Sequence, residues 1–272
     1  MKVACIQPKI FQSRDNCYFE VEELIKSLLE ETNNCDIICL PERWVPFYTN
    51  STKNFQKERG DDYSFIKNLA NEYHINILSG GIWEKRDDLE KPHITCYFFN
   101  ERGEEVGHQD KIHLYSYERE QFEPGKVLKL FKIKNLYYFA ILICFDMAFF
   151  ETPRLAAENG ADLLLSPTQI RREGMDNWDT YLKARSLENR IPIAACNTFG
   201  TFSRREFIGK SKIISFVEGK VSPSKLKIVE GPSNLNGYIF DDIDLDFPEK
   251  LRKIRFKEKI EKSKIKVKIV NN

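Results

Sequence analysis

Long apolar runs are missing from this sequence. The longest, LYYFAILICF at residues 136–145, is about half of the ~20 residues an apolar helix needs to cross a bilayer. An excess of either charge is missing too: 42 Lys and Arg stand against 41 Asp and Glu. No overall field therefore draws the chain to nucleic acid or to an anionic membrane. Histidine is scarce, with four residues in 272, and the seven cysteines, at positions 5, 17, 35, 39, 96, 144 and 196, form no CxxC pair. An odd, scattered set fits free thiols in a reducing compartment rather than a disulfide framework or a zinc site. GxSxG, HExxH and a phosphate-cradling glycine loop are absent, which removes the common serine-hydrolase, zinc-protease and nucleotide-binding readings. The opening MKVACIQPKI meets Gln7 and Pro8 too early for a secretory signal. A soluble cytoplasmic protein that works on a small molecule is the expectation.

What is present is an alternation of short apolar runs with amphipathic stretches. VACIQ (3–7) and DIICL (36–40) read as buried strands, and Ser13 can cap a helix with Cys17, Val21, Leu24 and Leu28 on one face. A helix around 61–73 precedes two strand candidates, NILSGGIWEK (76–85) and HITCYFFN (93–100). After the 136–145 run, TPRLAAENG (152–160) offers Pro153 to start a helix and Gly160 to end it. ADLLLSP, a helix from about Trp178 to Asn189, PIAACN (192–197), KIISFV (212–217) and YIFDDIDL (238–245) complete the series. This pattern predicts an α/β fold with helices covering sheets. Residues 1–247 read as one domain, and 248–272 as a lysine-rich tail that packs on the domain or on a neighbouring subunit.

Functional groups in such folds gather beyond the carboxyl ends of strands, and three of those ends are unusual here. DIICL runs into Pro41-Glu42-Arg43, although this segment alone favours an ordinary surface glutamate. In HQDKIHLYSYEREQFEPG (108–125), Lys111 and His113 flank one apolar residue and Glu118 precedes a Pro124-Gly125 turn. The 136–145 run carries Cys144 at its end, followed by Phe145 and Asp146, where helix N-terminal amides could lower a thiol pKa. A carboxylate, an ammonium and a thiol together make a hydrolase: base, oxyanion partner and nucleophile. A cysteine–histidine pair is the competing arrangement, with His113 its best candidate, since His74, His93 and His108 fall at helix ends or turns.

The ordered set LPE (40–42), DKIHL (110–114), Glu118 six positions before PG, and ICFD (143–146) resembles the nitrilase superfamily of carbon–nitrogen hydrolases. ETPRLAAENGADLLLSP, RSLENRIPIAACNTFG (185–200) and GKSKIISFVEGKV (209–221) are similar to later family segments, so the likeness covers most of residues 1–245. It implies a four-layer αββα sandwich with a catalytic Glu42, Lys111 and Cys144, and Glu118 as a second glutamate. It also implies hydrolysis of an amide, carbamoyl group or nitrile, or acyl transfer, without metal or cofactor. Pairing into a homodimer through the helices after the nucleophile is implied as well, with Phe149, Phe150, Leu155, Trp178, Tyr181 and Leu182 supplying apolar surface.

The departures from the family pattern touch the substrate. The loop after LPE, Arg43-Trp44-Val45-Pro46-Phe47-Tyr48, is bulky, with Tyr48 a candidate substrate contact beside His113. Phe145 followed by Asp146 favours an amide over a nitrile. Past SPT, Gln169 and Arg171 are candidate pocket residues, the arginine for a substrate carboxylate or merely for solvent. A binding member that has lost turnover, or a redox sensor acting through Cys144, remains the rival from another class.

Overall fold

The computed structural model describes residues 1–48, 52–202 and 204–270. One sheet of eight strands holds β1 (Lys2–Gln7), β2 (Ile37–Cys39), β3 (Gln56–Lys57), β4 (Ile77–Leu78), β5 (Ile82–Lys85), β6 (His93–Phe99) and β7 (Glu105–Asp110), closed at one edge by a late strand antiparallel to β1. A second sheet of six runs from β8 (Leu130–Ile133) through β9 (Tyr137–Ile141), β10 (Leu163–Pro167) and β11 (Ile193–Cys196). A small hairpin, β12 (Phe199–Phe202) with β13 (Arg205–Ile208), stands apart from both sheets. The six-stranded sheet then finishes with β14 (Lys212–Val221) and β15 (Ser224–Glu230), and the late edge strand of the first sheet is β16 (Gly237–Asp242).

Why the strands read as unbroken apolar runs is visible in their alternation. In β1, Val3 and Cys5 enter the core between the sheets while Ala4 and Ile6 enter the core beneath the first helices. In β9, Phe139 and Ile141 face the other sheet while Ala140, with Leu142 beyond the strand, faces the later helices. A strand buried on both faces has no polar positions to alternate with. The outer layers are α1 (Arg14–Thr32) and α2 (Asp61–Glu72) on the first sheet, and, past the single turn α3 (Glu118–Gln121), α4 (Glu151–Glu158) and α5 (Met175–Asn189) on the second. The result is the expected αββα sandwich. Ser13 caps α1, its Oγ accepting the Asn16 N–H at 3.3 Å.

Several boundaries differ from the sequence reading. The 76–85 stretch is two strands, because Gly80 takes φ +71° and a Cβ there would sit 2.1 Å from the Pro41 carbonyl oxygen. His108 to Asp110 belong to β7 rather than to a loop, His93 is buried in β6, and α5 starts at Met175. Trp178 and Leu182 point into the chain's own core, leaving Phe150 and Leu155 exposed among the residues offered for pairing. The boundary at 247/248 falls inside α6 (Asp246–Lys257), which packs on the domain through buried Leu251 and through Arg252, 2.8 Å from Asp162.

The core thiols give the fold a pH sensitivity. Burial pushes Cys17 up to about 11 and Cys35 up to about 12, and raises Cys39, Cys96 and Cys196 as well. A folded-state pKa above the unfolded value near 8.5 means that the stability is fully present below that value and is lost as pH rises toward the folded one. Each such thiol removes about 1.4 kcal/mol of stability per pH unit in that window. Chemical denaturation midpoints are expected to hold between pH 6.5 and about 8, then to fall steeply by about pH 10.5. A midpoint unchanged over that range would contradict this reading.

Candidate active site

The three strand ends singled out in the sequence converge. Glu42 follows β2 and is fixed by both sheets: its N–H donates to the Thr168 carbonyl at 3.1 Å and its own carbonyl accepts the Gly81 N–H at 3.0 Å. A Cβ on Gly81 would lie 2.8 Å from that carbonyl oxygen, so the close approach requires glycine. Lys111 follows β7, with its N–H on the Ile94 carbonyl at 2.9 Å and its carbonyl accepting the Gly125 N–H at 2.8 Å. The Pro124-Gly125 turn thus folds back onto the lysine. Cys144 follows β9 and opens a single 3₁₀ turn, Cys144–Ala148.

Lys111 is the hub. Its Nζ donates to Glu42 Oε1 at 2.7 Å and to both oxygens of Glu118, at 2.9 and 2.7 Å. Glu118 also accepts the Tyr115 N–H at 2.7 Å. All three charged side chains are about 5% exposed or less, and charges so buried persist only when paired. Burial alone would lower the Lys111 pKa, but Glu42 and Glu118 outweigh it and hold the ammonium well above the usual lysine range. Burial raises the Glu118 carboxyl, with Lys111 opposing and Glu42 adding to the rise.

Cys144 is partly exposed and lines a cavity. Burial and then the Glu42 charge push its thiol well above the usual range, against Lys111 and the Gln169 backbone amide. The expected lowering by helix N-terminal amides is therefore corrected, since one 3₁₀ turn has little dipole to offer. A thiol of this kind is converted to the nucleophile by a neighbouring base rather than stored as thiolate. The residue also holds φ +48°, a backbone conformation costly for a side chain-bearing residue and common at functional turns.

The cavity, about 370 Å³, has aromatic walls that include Tyr115, Tyr117, Phe145, Trp178 and Phe207. Gln169, Arg171 and Arg205 supply polar groups. Arg171 is engaged, 3.2 Å from Glu173 and donating to the Tyr115 hydroxyl at 3.3 Å. Arg205 lies over the Tyr117 ring at 5.7 Å, and among the described residues no carboxylate pairs with it.

Glu42, Lys111, Glu118 and Cys144 are thus brought together, and Phe145, Gln169 and Arg171 line the same cavity. Tyr48 and His113 do not line it. The Tyr48 hydroxyl donates to the Gln12 carbonyl at 3.0 Å, and His113 lies behind the cysteine turn against Asp146 and Phe149. Sequence reasoning passed over Tyr115, Tyr117 and Arg205. The first two stand between Lys111 and Glu118 in YSYERE, so any loop bringing those residues together carries the tyrosines along. Among the described residues, no group of three or more His, Cys, Asp or Glu is arranged to hold a metal ion.

A four-layer sandwich with a buried Glu–Lys–Glu cluster beside a cavity cysteine marks the class of hydrolases that cleave carbon–nitrogen bonds other than peptide bonds. The family described as "Carbon-nitrogen hydrolase" matches residues 2–246, and the chain belongs to it. A probable nitrilase of Schizosaccharomyces pombe is 32% identical over 257 residues, covering 92% of this chain and 91% of the relative. The 2-oxoglutaramate amidase of Bacillus subtilis is 26% identical, covering 78% and 82%. Among solved structures, Saccharomyces cerevisiae Nit3, of the nitrilase superfamily, superimposes with a TM-score of 0.80 at 23% identity over 93% of both chains.

Proposed function

We propose that the chain hydrolyses the amide or carbamoyl group of a small molecule carrying an ionised carboxylate, through a thioester on Cys144, with release of ammonia. The observation that carries this reading is the fully paired Glu42–Lys111–Glu118 cluster beside the partly open thiol. Glu42 takes the thiol proton as sulfur attacks the carbonyl carbon, while Lys111 and the Phe145 backbone N–H stabilise the oxyanion. Glu42 returns the proton to the leaving nitrogen, the C–N bond breaks and ammonia departs. Water deprotonated by Glu42 then attacks the thioester, giving the acid and restoring the thiol. Glu118, bonded to Lys111 and to the Tyr115 N–H, holds the ammonium in place.

The carboxylate is read from Arg205, a cation at the cavity without an acidic partner among the described residues, over aromatic walls that suit a short carbon chain. Resemblance to a 2-oxoglutaramate amidase and to an omega-amidase of Saccharomyces cerevisiae supports an amide of this type. The test is a panel of ω-amides, carbamoyl compounds and nitriles of matched length, with and without a terminal carboxylate, read by ammonia release and by intact-protein mass. Carboxylate-bearing amides are expected to turn over fastest and to add their acyl mass to Cys144. Turnover confined to nitriles, or an adduct on another cysteine, would overturn the proposal.

A further inference from the structure

The carboxylate of Asp146 is wholly buried, yet no cation in the catalytic cluster touches it. Its Oδ2 accepts the Ile143 N–H at 2.9 Å, which pins the residue just before the nucleophile. Its Oδ1 accepts the His113 N–H at 2.6 Å and lies 3.0 Å from His113 Nδ1. The first contact is local and could belong to any tight turn. The second crosses to the segment two residues beyond Lys111. Asp146 therefore ties the backbone that carries the ammonium to the backbone that carries the thiol.

The surroundings single out this tie. The other end of the cysteine turn is held separately, by Arg185 donating to the Met147 and Ala148 carbonyls at 3.2 and 2.9 Å. The start of the lysine segment is held by the Ile94 and Gly125 contacts. Asp146 supplies the hydrogen bonds that refer one segment to the other, beside the edge-on contact of the Tyr115 ring with Phe145 at 5.1 Å. The His113 ring stacks on Phe149 at 4.2 Å, and Phe149 packs edge-on against Phe145 at 5.1 Å, so the ring also supports the residue to which the proposed mechanism gives an oxyanion contact. Three N–H groups converge on two oxygens if Nδ1 carries its proton. That suits an acceptor-only carboxylate and excludes an amide, whose NH₂ would confront one of the donors.

We propose that Asp146 and His113 are a positioning pair that sets the separation of Lys111 from Cys144, and that neither touches substrate. This rests on the reading of Glu42, Lys111 and Cys144 given above. Misplacement by about 1 Å is enough to cost about 10²-fold in rate. His113→Ala keeps the backbone bond but loses the ring contact, and His113→Asn restores a side-chain donor to Asp146.

The experiment measures Asp146→Asn, His113→Ala and His113→Asn by the rate of Cys144 alkylation with iodoacetamide, by kcat and KM separately, and by thermal melting. Alkylation needs no substrate, so it remains informative even if the proposed amide chemistry fails. Asp146→Asn is expected to lower kcat by about 10²-fold with KM within about threefold, and to slow alkylation by about tenfold, because Lys111 no longer favours the thiolate. His113→Ala is expected to show about a tenfold loss in both rates, and His113→Asn to recover most of it. Should Asp146→Asn fail to fold, the two His113 variants carry the test. Alkylation by His113→Ala that is unchanged or faster, or no difference between the alanine and asparagine variants, would overturn the pairing.

Discussion

Replacing Cys144 by alanine is expected to remove turnover by at least about 10⁴-fold, the scale seen when a covalent nucleophile or its partner is lost. The protein should keep its fold. Cys144 lies at the cavity rather than in the packed interior, so losing the sulfur opens no sealed void. Alanine at φ +48° also carries the same strain as cysteine. The melting temperature should stay within a few degrees of native, and the acyl adduct should vanish from the mass spectrum. Normal activity in a folded Cys144→Ala protein would remove the thioester route altogether.

Lys111→Met is expected to damage both activity and stability. It leaves Glu42 and Glu118 facing each other in the interior without the cation that pairs them. Breaking a buried pair on one side costs about 3–5 kcal/mol, and the rate should fall by about 10²–10³-fold as oxyanion stabilisation is lost. The pH dependence has a definite sign. Burial already raises Glu118, and losing Lys111 raises it further. A carboxyl raised above its unfolded value contributes stability present at low pH and lost as pH rises through the folded value. The variant should therefore melt closest to the native protein near pH 5 and farthest from it near pH 7.5. Adding Glu118→Gln should recover part of the loss at neutral pH. Equal destabilisation at both pH values would show that the cluster is not held by charge pairing.

Glu42 and Cys144 were legible in the sequence because each stands where an apolar run stops, and a strand buried on both faces can release a side chain only at its end. Lys111 follows the polar strand β7 and was legible from its place before the short apolar stretch of DKIHL and from the family resemblance that motif carries. The α/β layering was legible from the unbroken apolar character of residues 3–6 and 139–143, while the four-layer αββα form was implied by the family resemblance. Tyr48 and His113 were misplaced because adjacency along the chain does not give side-chain direction. The loop after Glu42 turns Tyr48 toward Gln12, and Asp146 draws His113 behind the cysteine turn. The break in 76–85 did carry a signal, the Gly80-Gly81 pair, whose meaning depends on the Pro41 and Glu42 carbonyls it must clear. Asp146 gave a weaker one. An acid next to a nucleophile and flanked by Phe145 and Met147 will be buried, and a buried acid needs donors. Which donors it finds is decided by a segment more than thirty positions away in sequence.

The distribution of the seven cysteines has a practical side. Six are buried and Cys144 alone is partly open, at the cavity. The native chain is thus a single-address thiol protein without engineering: a small maleimide or haloacetamide dye placed on it reports from one known position. Label bound per chain is expected to stop at one while the cores are closed and to rise toward seven in chains that have unfolded, which turns a colour reading into a measure of the folded fraction in any preparation.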